Sequence, residues 1–212
     1  MARLAINPTR MELLRLRKRL VVARRGHKLL KDKLEGLMKE FLVRVEQYRE
    51  FRQRVDQELP QYLKLFSLAE TTSSRVVVED ALEQTRYELH IRPYTERIMS
   101  VKAPRFDTEM GTSKGSYSLV YTPVELDAAI RGLQAFLPTL LRLIELDQAI
   151  RLLAAEIEKT RRRVNALEYT FIPQMVETIK YITTKLDEME RSNISRLMKI
   201  KAQRADSDQG GL

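Results

Sequence analysis

The chain of 212 residues has no cysteine and no tryptophan, only two histidines, and only seven glycines and seven prolines. Without cysteine there is no disulfide framework, no thiolate metal site and no cysteine nucleophile, a composition that suits a reducing cytoplasm. Two histidines, His27 and His90, far apart and unaccompanied by a second ligand at helical spacing, do not make a metal or acid-base site. Gly26-His27-Lys28 has the end of a phosphate loop, but Val21 stands where the first glycine belongs and Leu29 where a magnesium-binding hydroxyl belongs. Long apolar runs are missing too. The most apolar window, residues 136–155, is crossed by Arg142, Glu145, Asp147 and Arg151, and residues 1–10 hold no uninterrupted apolar core. Neither a membrane-spanning helix nor a signal peptide is expected, and no catalytic residue, cofactor or metal site is predicted.

What the chain does have is heptad spacing. From Leu13, alternate steps of three and four reach Leu16, Leu20, Ala23, His27, Leu30, Leu34, Leu37, Phe41, Arg44, Tyr48, Phe51, Val55, Glu58, Tyr62 and Leu65. Only His27, Arg44 and Glu58 break the apolar series. A stripe this narrow and this long cannot close a globular core alone and needs a partner helix along its length. The C-terminal half supplies one. Ile130, Leu133, Leu137, Leu140 and Ile144 form a seam, continued after a phase shift by Ile150, Leu153, Ile157, Val164, Leu167 and Phe171. A third phase runs through Ile172, Met175, Ile179, Ile182, Leu186 and Met189, ending at Ile194, Leu197 and Ile200. Such shifts relax supercoiling locally. Pro138 and Pro173 each remove a backbone donor, and Pro173 is expected to bend the helix.

The fold class that follows is mainly α: a long antiparallel two-helix coiled coil with a small central insert containing a β-hairpin. Residues 1–70 form the first long helix, 71–122 the insert, 123–204 the second long helix and 205–212 a flexible tail. Each helix would be roughly 85–120 Å long. Antiparallel pairing places Leu13 beside Arg196 and Leu34 beside residues 164–171. The first helix starts near residue 8, capped either by Asn7 before Pro8 or by the overlapping box Thr9-Arg10-Met11-Glu12. Pro60 could kink it, and Thr71-Thr72-Ser73-Ser74 supplies a turn. In the insert, residues 76–84 read as a short helix, 87–92 alternate as a half-buried strand, 98–102 form a second strand closed by Pro104, and 117–121 offer another. Thr122-Pro123-Val124-Glu125 repeats the capping logic for the second helix. This insert is placed at the hairpin turn, opposite both termini.

Net charge is +9 with a pI near 9.8, which calls for an acidic partner. Cations gather at Arg15, Arg17, Lys18, Arg19, Arg24, Arg25, Lys28, Lys31 and Lys33, and again at Arg161, Arg162 and Arg163. No aromatic interleaves them and no groove-reading motif is present, so nucleic acid is disfavoured. Carboxylates such as Glu156, Glu158, Asp187 and Glu188 are explained by pairing along an exposed helix.

Two long motifs and a shorter one carry a family resemblance. The run from Asn7-Pro8-Thr9-Arg10-Met11-Glu12-Leu13 through Arg25-Gly26-His27-Lys28-Leu29-Leu30-Lys31-Asp32-Lys33 resembles the N-terminal helix of the D subunit of V-type and archaeal-type rotary ATPases. Glu156-Ile157-Glu158-Lys159-Thr160-Arg161-Arg162-Arg163-Val164-Asn165-Ala166-Leu167-Glu168, followed by Ile172-Pro173, is similar to that family's second signature. Met99-Ser100-Val101-Lys102-Ala103-Pro104 resembles its central segment.

The resemblance implies a non-catalytic central rotor shaft whose joined termini enter a hexamer of catalytic A and non-catalytic B subunits, coupling ATP hydrolysis or synthesis to ion translocation through the membrane ring. It also implies the small F subunit on the shaft's side, a membrane-side subunit called C or d at the other end, and a peripheral place on the cytoplasmic side of the membrane, with no direct insertion and no nucleic acid. Under it, the bearing contacts are expected at Arg10, Arg15, Arg17, Arg24, Arg25, Lys28, Arg191, Arg196 and Lys199. A generic coiled-coil scaffold, or a basic protein binding nucleic acid or a lipid surface, are the alternatives that the residues leave open.

Overall fold

A computed structural model describes residues 4–84, 89–111 and 122–209. In chain order the elements are α1 (Arg10–Thr72), α2 (Arg75–Gln84), β1 (Leu89–Ile98), β2 (Val101–Met110), α3 (Val124–Asn165), a π-helical segment (Ala166–Phe171) and α4 (Ile172–Gln209). They form two compact units, one of Met1–Glu35 with Lys159–Leu212 and one of Gly36–Glu158. Both are antiparallel helical pairs, and the second carries the β-hairpin.

The terminal unit begins with a cap. Thr9 Oγ1 accepts the Glu12 N–H at 3.2 Å, so α1 starts at Arg10 by the second of the two expected capping schemes. Before the cap, Leu4, Ile6 and Pro8 are half-buried while Ala5, Asn7 and Thr9 are exposed, the alternation of an extended chain against a surface. That surface is α4: the Leu4 N–H donates to Thr178 Oγ1 at 3.2 Å, and the buried Thr178 hydroxyl donates to the Gln174 carbonyl at 2.7 Å. Arg10 meets Glu190 at 3.4 Å, so residues 4–9 lie back along α4. Arg10–Glu190 and His27–Glu168, also 3.4 Å apart, set the register. Arg196 therefore lies about 9 Å beyond the level of Arg10, and the expected pairing of Leu13 with Arg196 is displaced.

Among the described residues Leu16, Val164 and Ile182 are the buried aliphatic residues of this unit. Leu13, Leu20, Leu30, Leu34, Met175, Ile179 and Leu186 are half-buried along the same seam. Phe171 is not: it is 52% exposed. The reason lies in the π segment. The Ile172 N–H bonds the Leu167 carbonyl, five residues back, so the inward positions step from Leu167 to Ile172 and pass over Phe171. The extra residue is the phase change seen in the sequence. Pro173, next in the chain, has no N–H to give the Tyr169 carbonyl and would crowd it in a regular α-turn, and the wider turn relieves both problems.

The second unit is better filled. Leu37 and Phe41 on α1 pack with Ala149, Leu153 and Ile157 on α3; Tyr48, Phe51, Val55 and Tyr62 pack with Phe136, Leu140 and Leu143; Phe66 and Ala69 pack with Leu126 and Ile130. Pro60 lies inside α1 without ending it. Thr71 and Thr72 hydroxyls both bond the Leu68 carbonyl, closing α1 where the polar cluster is expected, and α2 then covers the last group through Val78 and Ala81. At α3 the Pro123 carbonyl receives the Leu126 N–H at 3.1 Å, so Pro123 precedes the first helical residue. The α3 seam runs through Phe136, Leu143 and Leu146 rather than Leu137 and Ile144; Ile144 is 53% exposed. From Phe136 a full heptad reaches Leu143, and two successive steps of three, where the heptad count alternates three with four, then reach Leu146 and Ala149.

The β-hairpin departs most from expectation. Residues 98–102 are not a strand: Ile98 and Val101 are the last pair, and Met99-Ser100 is the two-residue turn, with Met99 at φ +52° as primed turns require. Pro104 lies inside β2, opposite Thr95, which a two-stranded ribbon permits because each strand has a free edge. Of the expected strand at residues 87–92, the described part has Leu89 half-buried but Ile91 exposed with His90 and Arg92, so the alternation does not continue as a half-buried face along β1. Nor does the tip point away from the helices. Ile98, Val101 and Ala103 are buried against Leu37, Ala149 and Leu153, so the hairpin lies back along the pair. The expected strand at residues 117–121 falls outside the described residues, as do Tyr87 and Gly115.

Candidate coupling surfaces

The hairpin is held to α3 by a buried carboxylate. Glu145, 7% exposed in its side chain, accepts the Phe106 N–H at 2.6 Å, Arg105 Nη1 at 3.0 Å and Arg142 Nη1 at 2.7 Å. Arg105 also donates its Nε–H to Glu96 at 2.5 Å, tying β2 to β1. Beside this cluster is a cavity of about 210 Å³ lined in part by Arg44, Gln47 and Pro104, and the Arg44 guanidinium bonds Glu40 one turn earlier on α1. Three cations and three carboxylates thus meet where two helices and the hairpin converge. Among the described residues no buried side-chain nitrogen or oxygen lacks a partner. A satisfied network of this kind fixes orientation, because removing one member would strand buried charge. Sequence reasoning missed it, although Arg142 and Glu145, charges three apart in the most apolar window, are a legible signal.

At the terminal unit the expected bearing residues Arg10, Arg15, Arg17, Arg24, Arg25, Lys28, Arg191, Arg196 and Lys199 are all exposed. They do not share one face. Arg10, Arg17, Arg24 and Lys28 recur at steps of seven, seven and four on one flank of the α1 seam, whereas Arg15 lies on the other flank with Lys18 and Arg19, two cations not singled out from the sequence as bearing contacts. Arg10 and Arg15 reach Glu190 and Glu12. Arg191, Arg196 and Lys199 lie on a stretch of α4, residues 187–203, where every side chain is exposed, including Ile194, Leu197, Met198 and Ile200. Cations interleaved with unburied aliphatic side chains suit contact with other protein chains better than solvation alone.

Among the described residues no group of His, Asp and Glu is placed to hold a metal ion, and no helix is long and apolar enough to cross a membrane. The sequence model of the ATP synthase D-subunit family matches residues 12–202. The chain belongs to that family. It is 52% identical over 203 residues to the D subunit of the V-type ATP synthase of Thermoanaerobacter sp. (strain X514), covering 95% of this chain and 97% of the relative. It is 50% identical over 205 residues to that of Acetivibrio thermocellus, covering 95% and 92%, and 47% identical over 205 residues to that of Clostridium botulinum (strain Kyoto / Type A2), covering 94% and 95%. Family membership carries a role: a non-catalytic component of the central stalk in a complex that links ATP chemistry to ion transport.

Proposed function

We propose that this chain is the turning shaft of its complex, with the terminal unit seated inside a hexamer of A and B subunits and the hairpin-bearing unit toward the membrane. The observation that carries this is the exposed surface of residues 187–203 and of the cationic flanks of α1, of which the chain's own fold uses little beyond the Arg10–Glu190 pair. A bearing that turns cannot rely on one deep pocket. Many weak contacts between Arg10, Arg17, Arg24, Lys28, Arg191, Arg196 and Lys199 and acidic loops, each worth about 0–1 kcal/mol, allow register to change while alignment is kept.

Asymmetry does the coupling. The π segment and Pro173 interrupt α-helical regularity on one side only, so each catalytic interface meets a different surface as the shaft turns, and differential contact biases its state. The hairpin, locked to α3 through Glu145, is the platform for docking or regulating the stalk, with the small F subunit on its flank and the membrane-side C (or d) subunit beyond. The whole then sits on the cytoplasmic face, peripheral to the membrane.

The test is co-expression with A, B and F subunits and sizing of the product. A stoichiometric complex is expected, with ATPase activity that falls when Arg191, Arg196 and Lys199 are together reversed to Glu. A chain that joins no hexamer, or a triple reversal with normal binding and coupling, defeats the reading. Pro173→Ala refines it: unchanged or higher stability of the isolated chain with weaker coupling of ATP turnover to rotation is expected, and normal coupling removes the π segment from the mechanism.

A further inference from the structure

In the terminal unit, α1 and the π segment enclose an open apolar groove of about 560 Å³. Its floor is Val22, Ala23, Leu167, Phe171 and Met175, and its rim is Arg15, Lys18 and Arg19. Val22 and Phe171 are 68% and 52% exposed. One helical turn beyond Val22, on the same stripe of α1, is Gly26.

Helical glycines here fall into two kinds. A Cβ at Gly36 would come within 2.8 Å of Met99 Cε, and one at Gly132 within 2.4 Å of Tyr62 Cε1, so both are small because the chain itself packs over them. Around Gly26 nothing lies within 4 Å of the Cβ position. Glycine inside a helix weakens it relative to alanine, and in this chain no packing contact offsets that cost at Gly26. Bare backbone of this sort serves close approach by something else.

We infer that the groove and Gly26 form an open docking cleft for an acidic segment of a neighbouring protein in the complex, which lays its backbone over Gly26 and one large apolar side chain between Val22 and Phe171 at one rotational position and leaves as the shaft turns. The inference rests on the central-stalk reading and names the chemistry of the partner at this face. Charge decides the occupant. Among the described residues Lys18 and Arg19 form no ion pair, and Arg15 reaches only Glu12 at 3.2 Å, so the rim offers positive potential to flanking carboxylates. A second copy of a chain with net charge +9 would bring like charge to the same rim. A nucleic-acid backbone brings phosphate but no apolar group to fill the floor. The π segment belongs to the site: by carrying Phe171 off the seam, it supplies the aromatic part of the floor.

The full chain and the complex with A and B subunits provide the test. Gly26→Leu should leave the isolated chain's thermal midpoint unchanged or raised, yet weaken binding to the A–B hexamer about tenfold or more, equivalent to 1.4 kcal/mol. Lys18→Glu with Arg19→Glu should weaken it comparably and flatten its salt dependence, whereas Lys64→Glu in the other unit should do neither. Wild-type chain that does not bind the hexamer overturns the stalk reading and this inference with it. If wild type binds and the groove variants bind equally well, the cleft alone is overturned. A lowered midpoint for Gly26→Leu would show that the chain itself uses the space and would overturn the cleft as well. Groove-dependent dimerisation in sedimentation, or groove-dependent binding to anionic phospholipid vesicles without hexamer weakening, would assign the cleft to another occupant and overturn the proposal.

Discussion

The two units are built from the same antiparallel helices but differ in how much of their apolar surface they cover themselves. In residues 36–158 three buried clusters follow one another, a ribbon lies on the first and a short helix on the last, and both helical glycines are packed over. In the terminal unit one edge of the pair is an open groove, the helical glycine faces empty space, and residues 187–203 of α4 are all exposed. The difference teaches that equal heptad signals need not mean equal self-sufficiency. One unit spends its surface on its own stability, and the other holds surface in reserve for neighbours, which is what a stalk inserted among other proteins requires.

Matched substitutions sharpen the contrast. Phe136, 2% exposed and in ring contact with Tyr62 at 5.7 Å, should cost about 3–5 kcal/mol on truncation to alanine. Phe171→Ala should cost under about 1 kcal/mol in the isolated chain. Denaturant midpoints at constant m-value check the pair, and equal losses would erase the distinction. Next in size is the carboxylate anchor. Glu145→Gln should destabilise by about 1.5–3 kcal/mol and lower hydrogen-exchange protection in β1 and β2, while Glu168→Gln, half-exposed beside His27, should stay within about 0.5 kcal/mol. Intact protection in Glu145→Gln would mean that packing alone holds the ribbon.

The glycines should change sign. Gly132→Ala meets the Tyr62 ring and should destabilise by about 1–3 kcal/mol, whereas Gly26→Ala, with open space and better helix propensity, should stabilise the isolated chain by about 1 kcal/mol. Thermal melts of both variants decide it. The smallest effect concerns pH at an ion pair on α4. Lys185 donates to Glu188 at 2.8 Å, holding the Glu188 carboxyl below its ordinary 4.5 and the Lys185 ammonium above its ordinary 10.5. A depressed carboxyl adds stability above its unfolded value and loses it as pH falls through the folded value; the raised amine loses its share as pH rises through its own. Glu188→Gln should therefore flatten the melting-temperature profile slightly below pH about 4.5 and above about 10.5, leaving the plateau between them nearly level. An unchanged profile would mean that solvent screens the pair entirely.

Much of the fold was legible because heptad burial is a local, repeating constraint. Every position named on the α1 seam from Leu13 to Leu65 is buried or half-buried, including His27, Arg44 and Glu58. The phase change near residue 171 was visible as well, though its cause was not: spacing reveals that a residue is extra, while only backbone hydrogen bonding shows that Ile172 reaches back to Leu167. Less could be read where the partner surface is distant in sequence. Ile144 and Leu143 are adjacent aliphatic residues, and which one faces α1 depends on accumulated helical phase rather than on residue type. The bearing residues were legible as exposed charge, and their division between two flanks of the seam follows from the same heptad spacing, whereas the Arg10–Glu190 pairing did not.

The amino-acid sequence by itself determined that two long helices pair antiparallel, that no cysteine chemistry occurs, and that the chain carries the signatures of its family. Those properties follow from composition and short-range spacing, which act wherever the chain happens to lie. Tertiary structure alone decided that the hairpin lies back on Leu37 and Leu153, that Glu145 binds it there, and that Gly26 stands open while Gly36 and Gly132 are covered. A glycine, a buried glutamate and a strand tip take their meaning from whatever group packs within a few ångströms of them, and that neighbour is set by folding, not by the residues beside them in the chain.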